Sequence, residues 1–335
     1  MKGAGVLVLA DDIPANVDLL TRLLVSEGYT VHSASDGEAA LALVLQTLPD
    51  LVLSDVMMPK LTGFELCQRI KAERTTRLTP VVLITSLVER EDRIEGINAG
   101  ADDFLTKPVN AHELRARVKS LVRLKRYTDD LDSAESLILN LGLTVEARDP
   151  HTIGQCERMA AYAAAFGIHL DLPDEDISAL HRGGYLYDVG KIGIPDAVLL
   201  KPGLLTPQER QVMQRHAAIG DALCGDLRLL RPVRPIVRHH HERLDGSGYP
   251  DGLRGDAIPV LAQIVGILDV YDALTTARAH RAAISSEAAC AELQQEAGRG
   301  WRSPRLVSEF LTLHRTGRLS KLAESRPGPV SLGAR

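Results

Sequence analysis

Five polar residues in the first third of the sequence have side chains of the types that handle a metal-bound phosphoryl group. Asp11 and Asp12 follow the apolar run "VLVLA", Asp55 follows "LVLS", and Thr85 and Lys107 come after later apolar runs. Clustered carboxylates repel each other and favour a hard divalent cation such as Mg²⁺. The ion would neutralise an incoming phosphoryl group and allow Asp55 to accept it, while Thr85 and Lys107 hold its oxygens. The residue types therefore predict a phosphoryl-accepting site.

A second candidate site comes from histidines and acids beyond residue 150. His151 and Gln155 are four residues apart, which places them on one face of a helix. Imidazoles and carboxylates on several helices can converge to hold transition metals, and paired ions about 3.5–4 Å apart suit phosphodiester hydrolysis. Each histidine alone is more simply a surface or core residue, but the set favours a metal site. The further candidates are Asp188, Lys191, His216, His239, His240, His241 and Asp269.

Short apolar runs alternate with amphipathic stretches over the first 120 residues. The runs "GVLVLA", "TVHSAS", "LVLSDV" and "PVVLITS" are predicted to be buried strands, and helices are predicted between them. Strands separated by helices are typical of an α/β doubly wound parallel sheet. The carboxyl ends of such strands share one edge, where the five polar residues would meet.

The pattern changes after the "KP" dipeptide at residues 107–108. Residues 110–141 contain few helix breakers, and the rest of the chain shows helical runs without alternating strands. We expect an α/β unit at 1–123, a connecting helix at 124–141, an all-α domain at 142–318 and a disordered tail at 319–335. The apolar spacing along the connecting helix is an imperfect heptad, so homodimerisation is a hypothesis.

Composition narrows the class of protein. The 335 residues are 45% hydrophobic and 25% charged, with a net charge of −5, as in soluble globular proteins that are not polycations. The four cysteines form no CxxC pair, and no run is long enough for a membrane span. The arginines of "RLLRPVRPIVRHHH" are interrupted by prolines and precede no helix-turn-helix. We expect a cytoplasmic protein that binds no DNA.

The acidic set resembles the receiver domain of two-component response regulators over residues 5–123. The resemblance implies a flavodoxin-like fold, a sensor histidine kinase as partner and Asp55 as the phosphoacceptor. The implied Mg²⁺ and switch positions are Asp11, Asp12, Met57 (through its carbonyl), Thr85, Phe104 and Lys107. The sequence departs from the family at Ile13, where a third acid is frequent, so a less acidic pocket is expected.

The second set resembles the HD-GYP group of HD phosphohydrolases over residues 140–315, through "DVGKIGIPD" and "HHERLDGSGYPDGLRGDAIP". This family is helical, holds two or three Fe, Mn or similar ions, and hydrolyses cyclic di-GMP to pGpG or GMP. The implied metal ligands are Asp188, His216, His240, His241 and Asp269, with His151 at a third-ion position. The implied phosphate-binding residues are Lys191, Arg278 and Arg281, and the GYP loop is Gly248, Tyr249 and Pro250.

Two ligand positions of one ion differ from the family. The histidine of the HD pair is Tyr187, and an earlier histidine is Gln155. Neutral phenol and amide oxygens are poorer ligands than imidazole for these metals. One bound ion is therefore expected rather than two, unless a nearby cation lowers the pKa of Tyr187 enough for phenolate ligation.

Three functions remain open at this point. In the first, the output domain is a cyclic di-GMP phosphodiesterase. In the second, it is a silent module that binds a ligand or a partner such as a diguanylate cyclase. In the third, it is a hydrolase of another nucleotide. The departures at Tyr187 and Gln155 favour reduced or absent turnover, and the GYP loop favours cyclic di-GMP.

Overall fold

A computed structural model describes residues 4–86, 90–149, 154–225, 227–277, 282–319 and 321. The chain divides into two compact units, Met1–Ala134 and Glu135–Arg335. The predicted sites at His151, Arg278 and Arg281 lie outside the described residues.

The first unit is a parallel five-stranded sheet. Its strands are β1 (Gly5–Ala10), β2 (Tyr29–Ala34), β3 (Leu51–Asp55), β4 (Val81–Thr85) and β5 (Asp103–Thr106), in the order β2-β1-β3-β4-β5. The doubly wound prediction is confirmed, and β5 is an addition to the four predicted strands. The prediction that β2 is buried is wrong, because β2 lies at the sheet edge and only Ala34 is fully buried in it.

Alternating side chains of the strands build one core on each face of the sheet. Val8 and Ala10 point to one face, and Leu7 and Leu9 point to the other. Four helices follow β1 to β4: α1 (Pro14–Ser26), α2 (Gly37–Thr47), α3 (Gly63–Ala72) and α4 (Arg90–Asn98). Both faces are therefore covered, and the polar carboxyl ends of the strands remain open at one edge.

Helix α5 (Ala111–Glu146) is 36 residues long and includes the predicted connecting helix. Leu114 and Val118 are buried in the core of the first unit, whereas Leu124 and Leu131 are 61% and 65% exposed. The helix thus begins as a receiver element and continues into the second unit. The homodimer hypothesis stays a prediction.

The second unit is helical, as predicted. Its α-helices are α6 (Gln155–His169), α7 (Asp174–Leu186), α8 (Asp196–Leu199), α9 (Pro207–Gln214), α10 (His216–Cys224), α11 (Arg234–His239), α12 (Val260–Thr275), α13 (Ser286–Gly298) and α14 (Pro304–Arg315). Short 3-10 helices lie at Val189–Gly193, Arg228–Leu230 and Gly255–Ala257. Phe166, Tyr187 and Phe310 fill the core between the helices. Leu319 is also buried there, although the disordered tail was predicted to begin at this residue.

Candidate functional site

The carboxyl ends of β1 and β3 bring acids together in the first unit. Asp11, Asp12 and Asp55 each offer a carboxylate oxygen within 4.8 Å of the others. The Lys107 ammonium lies 2.6 Å from Asp55 Oδ2 and 3.4 Å from Asp11 Oδ2. Burial opposes the charge on Lys107, but these carboxylates raise its pKa above the ordinary value. The pocket therefore combines a cation-binding acid cluster with a fixed positive charge.

The remaining receiver positions surround this pocket or the strand beside it. Thr85 ends β4, in register with Thr106 of β5. Phe104 lies in β5, and its ring packs so closely on α4 that a Cβ at Gly96 would come within 2.5 Å of it. Met57 is exposed just after Asp55, and the side chain of Ile13 is exposed just after the acidic pair. Asp11 accepts hydrogen bonds from the Asn16 side chain and from the Ile13 amide.

Four of the predicted ligands in the second unit lie together. Asp188, His216, His240 and His241 each offer one ligand atom, and these atoms lie within 4.8 Å of one another. Asp188 directly precedes the 3-10 helix Val189–Gly193, His216 is the first residue of α10, and the paired histidines follow α11. Three separate segments thus place three imidazoles and one carboxylate around a common point.

Hydrogen bonds on the far side of two rings orient them toward that point. His216 Nδ1 lies 2.8 Å from the Met213 carbonyl oxygen, and His240 Nδ1 lies 3.0 Å from the Val237 carbonyl oxygen. A carbonyl accepts only from a protonated nitrogen, so each Nε2 carries the free lone pair. Both Nε2 atoms and Asp188 Oδ1 are buried without a hydrogen-bond partner. Buried orphan ligand atoms of this kind fit a transition-metal ion.

The electrostatics keep these groups in their metal-binding forms. Burial lowers the pKa of His216 to about 4. Burial alone would raise the pKa of Asp188, but the Lys191 ammonium and the neighbouring histidines hold it below the ordinary value. Lys191 Nζ lies 2.7 Å from Asp188 Oδ2. A neutral imidazole and an ionised carboxylate are therefore the states at neutral pH.

Two glycines allow the ligand-bearing segments to approach each other. A Cβ at Gly190 would lie 1.9 Å from the His216 carbonyl oxygen, and a Cβ at Gly266 would lie 2.4 Å from the His240 carbonyl oxygen. Neither distance is possible for a real side chain, so both positions require glycine. Sequence reasoning missed these residues, because glycine spacing alone does not reveal which backbone lies opposite.

The positions of the other expected ion contain neutral groups. Tyr187 is 1% exposed, and its ring packs edge-on against His240 with a centroid distance of 5.2 Å. Burial raises the pKa of Tyr187 well above its ordinary value, and Asp188 raises it further, so the hydroxyl is neutral. Gln155, Tyr187 and Asp188, with the carboxylates of Glu146 and Asp149 but no histidine, line a cavity of about 20 Å³, which has room for about one water molecule. This donor set does not fit a second imidazole-bound ion.

Asp269 lies beside the four-ligand cluster rather than within it. Its Oδ2 is 4.0 Å from His241 Nδ1. The following turn of α12 is fixed by Asp272, whose carboxylate accepts from Arg158 of α6 at 2.6 Å. This buried ion pair, which the sequence did not reveal, holds α6 and α12 together near Gln155.

The GYP loop covers His241. The Tyr249 ring lies 4.6 Å from the His241 ring, at an interplanar angle of 32°. The buried carboxylate of Glu242 accepts from the amides of Asp251, Gly252 and Leu253 and closes the loop. Gly248 passes directly over the backbone of Glu242 and Arg243, and Pro250 follows Tyr249 through a cis peptide bond. Sequence reasoning did not assign Glu242, although it directly follows the histidine pair.

Two arginines of the basic stretch before the histidines are paired with acids. Arg234 and Arg238 pair with Asp221, and Arg238 also pairs with Asp251, as does His239 at 3.4 Å. Among the described residues, no helix has the length and apolar character needed to cross a bilayer.

Comparisons with known proteins agree with this two-part architecture. A response regulator receiver domain matches residues 7–119, and an HD domain matches residues 143–306. The chain is 36% identical over 328 residues to the "Cyclic di-GMP phosphodiesterase response regulator RpfG" of Xanthomonas campestris. This match covers 91% of this chain and 86% of that protein. It is 32% identical over 338 residues to a "Cyclic di-GMP phosphodiesterase" of Thermotoga maritima, with coverage of 92% and 90%.

A further relative matches about half of the chain. The "3'3'-cGAMP-specific phosphodiesterase 3" of Vibrio cholerae is 34% identical over 189 residues, which are 56% of this chain and 41% of that protein. The receiver fold, the acid pocket, the four-ligand cluster and the full-length matches lead to one assignment. The chain belongs to the family of response regulators with a receiver domain followed by an HD-GYP output domain.

Proposed function

We propose that this protein is a phosphorylation-controlled response regulator whose output domain binds cyclic di-GMP at a one-metal site. In this proposal residues 1–123 are the receiver domain, 124–141 connect it to the output domain that begins at 142, and the tail lies beyond Leu319, which packs in the core of that domain. The phosphoryl group comes from a sensor histidine kinase, and the protein acts in the cytoplasm.

Each receiver residue has a distinct role in phosphoryl transfer in this proposal. Asp55 is the acceptor, since its carboxylate ends β3 at the open edge of the sheet. Asp11 and Asp12 would hold Mg²⁺, which supplies positive charge against the incoming phosphoryl group. Lys107 already pairs with Asp55, and it would pair with the phosphoryl oxygens after transfer. Thr85 would donate its hydroxyl to another of these oxygens, and Phe104 would respond as the switch residue.

The observation that carries the output proposal is the convergence of four ligand atoms that have the right protonation states. Asp188, His216, His240 and His241 would hold one Fe, Mn or similar ion. Such an ion supplies positive charge to bind a phosphate oxygen. Lys191 lies next to this cluster, and we propose that its ammonium contacts the same phosphate. Arg278 and Arg281 are proposed as additional phosphate-binding residues from their place in the sequence.

We propose that hydrolysis is slow in comparison with two-metal relatives. Tyr187 and Gln155 present neutral oxygens where the second ion would need imidazoles, so it would have to be held by carboxylates without them. A single ion lacks the clamp on the opposite phosphate oxygen that paired ions provide. This explanation assigns the protein a binding role first and a weak phosphodiesterase activity second.

The neutral oxygens of Tyr187 and Gln155 also favour a second candidate function. A silent output domain would use its ligand-bound state to contact a partner such as a diguanylate cyclase. It differs from the first candidate only in turnover, so product formation decides between them. A third candidate, hydrolysis of another nucleotide, is tested by the same assay with other cyclic dinucleotides.

The test is a calorimetric titration of the full-length protein with cyclic di-GMP, followed by chromatography for pGpG and GMP with and without added Mn²⁺. We expect saturable binding, and slow product formation that depends on the metal. A His240→Ala variant is the control, since it removes a ligand of the ion. Absence of binding by the metal-loaded wild type would refute the proposal, and binding with no product would select the silent module. A rate equal to that of two-metal relatives would contradict the one-ion site.

A further inference from the structure

The end of helix α5 contacts both segments that contain the metal-site positions. Its last residue, Glu146, accepts hydrogen bonds from the amides of Gly154 and Cys156, the latter at 2.6 Å. These two amides flank Gln155, at the first turn of α6. The negative charge of Glu146 also suits the positive end of that helix. Glu146 therefore fixes the place where α6 begins.

Arg148, two residues beyond α5, donates hydrogen bonds to the segment after Asp188. Its guanidinium donates to the carbonyl oxygens of Lys191 (3.1 Å), Ile192 (2.9 Å) and Ile194 (3.3 Å). It also pairs with Asp196 at 2.6 Å, but that carboxylate is 70% exposed, so the pair itself contributes little. The three carbonyl contacts matter more, because one rigid planar group fixes a whole turn of backbone.

A third contact lies one turn earlier on α5. A Cβ at Gly142 would lie 2.2 Å from the Tyr185 carbonyl oxygen, so the two backbones touch. Tyr185 is two residues before Tyr187 and three before Asp188. The last two turns of α5 and Arg148 thus hold the chain before and after the metal-ligating carboxylate.

We propose that Glu146 and Arg148 are positioning residues through which helix α5 sets the geometry of Asp188 and Lys191. The inference rests on the proposed function, since it makes these contacts the route by which phosphorylation at Asp55 changes the output site. Helix α5 begins among buried receiver residues and ends at Glu146 without a break. A helix that contacts both regions can bias the geometry of each. Neither residue belongs to the four-ligand cluster, so we assign both a positioning role.

The test is hydrogen exchange of the full-length protein with and without beryllium fluoride and Mg²⁺, a phosphoryl analogue for Asp55. The reporters are the amides of Lys191 and Ile194, which donate to the carbonyls of Asp188 and Lys191 at 2.9 and 3.0 Å. We expect beryllium fluoride to change their exchange rates by about threefold in the wild type, within the range of coupling between linked sites. Arg148→Met should accelerate their basal exchange about tenfold, the effect of losing roughly one charge-assisted hydrogen bond, and should abolish the response to beryllium fluoride.

The matched control is Arg299→Met, a partly exposed arginine that pairs with Glu292 of α13. It should keep the wild-type response, and Arg148→Lys should recover part of it. A purely structural role would change basal exchange in Arg148→Met but leave the response intact, which would overturn the proposal, as would a wild type with no response at this segment. Since the readout needs no nucleotide, it decides the inference even if a parallel titration shows that cyclic di-GMP does not bind.

Discussion

Replacing Gly190 with alanine should break the metal site by moving one ligand. The new Cβ would lie 1.9 Å from the His216 carbonyl oxygen and 2.5 Å from the Gly220 nitrogen, whereas ordinary contacts begin at 3.4 Å. Relief of the first clash alone needs a shift of about 1.5 Å, the difference between 1.9 and 3.4 Å. Both obstructing atoms belong to the backbone of α10, which His216 begins, so the histidine must move with them.

The expected loss of metal affinity follows from the narrow range of ligand distances that a metal ion accepts. Ligand distances in metal sites vary by only about 0.2 Å, so a shift larger than 1 Å removes His216 from the coordination shell. We expect Mn²⁺ affinity to fall by about 100-fold or more, in line with disrupted support of a ligand. Overpacking against backbone should also destabilise the second unit by about 1–3 kcal/mol.

Gly193→Ala provides the matched control within the same 3-10 helix. Its Cβ would meet only the side-chain carbons of Ile219, at 3.1 Å, and these can yield by a rotamer change. We expect near wild-type Mn²⁺ affinity for this variant. The assay is chelator competition for Mn²⁺ together with urea unfolding followed by Trp301, the one tryptophan, which lies in the second unit. A Gly190→Ala protein that binds Mn²⁺ with wild-type affinity would refute the proposed packing of His216.

Three further outcomes are expected. Asp55→Asn should abolish phosphoryl incorporation from a small phosphodonor, and unchanged incorporation would reject Asp55 as the acceptor. Tyr187→His combined with Gln155→His should raise the metal content from one ion to two and increase pGpG production, and a double variant that still holds one ion would contradict the ligand assignment. The metal-free protein should lose stability as the pH falls from about 6.5 to about 4, because burial lowers the pKa of His216 to about 4 and the unfolded chain then binds more protons. His216→Gln should flatten this dependence in urea unfolding, and an unchanged slope would exclude His216 as its source.

The sheet was predictable because its strands carry long apolar runs. β1 and β3 are buried on both faces, so "VLVLA" and "LVLSD" stand out in the sequence. β5 was not identified as a strand, since it has only four residues and ends at the polar Thr106. The burial of β2 was predicted wrongly for a different reason. The stretch "TVHSA" contains apolar residues, but the strand lies at the sheet edge, which leaves them partly exposed.

The candidate ligands were recognised by residue type and by family motif. The residues that position them, and the burial of their neighbours, were not. Asp188, His216 and the histidine pair are chemically distinctive in any sequence. Arg148 acts on backbone carbonyls more than 40 residues away, and carbonyls carry no sequence signal. The neutrality of Tyr187 likewise depends on complete burial, which only the packed structure reveals.

The most direct test of the central claim is the number of Fe and Mn ions bound per chain. Elemental analysis of the full-length protein, after loosely held metal has been removed, measures this number. The arrangement of Asp188, His216, His240 and His241 beside a neutral Tyr187 predicts one ion per chain. Two tightly bound ions, or none, would contradict the one-metal site.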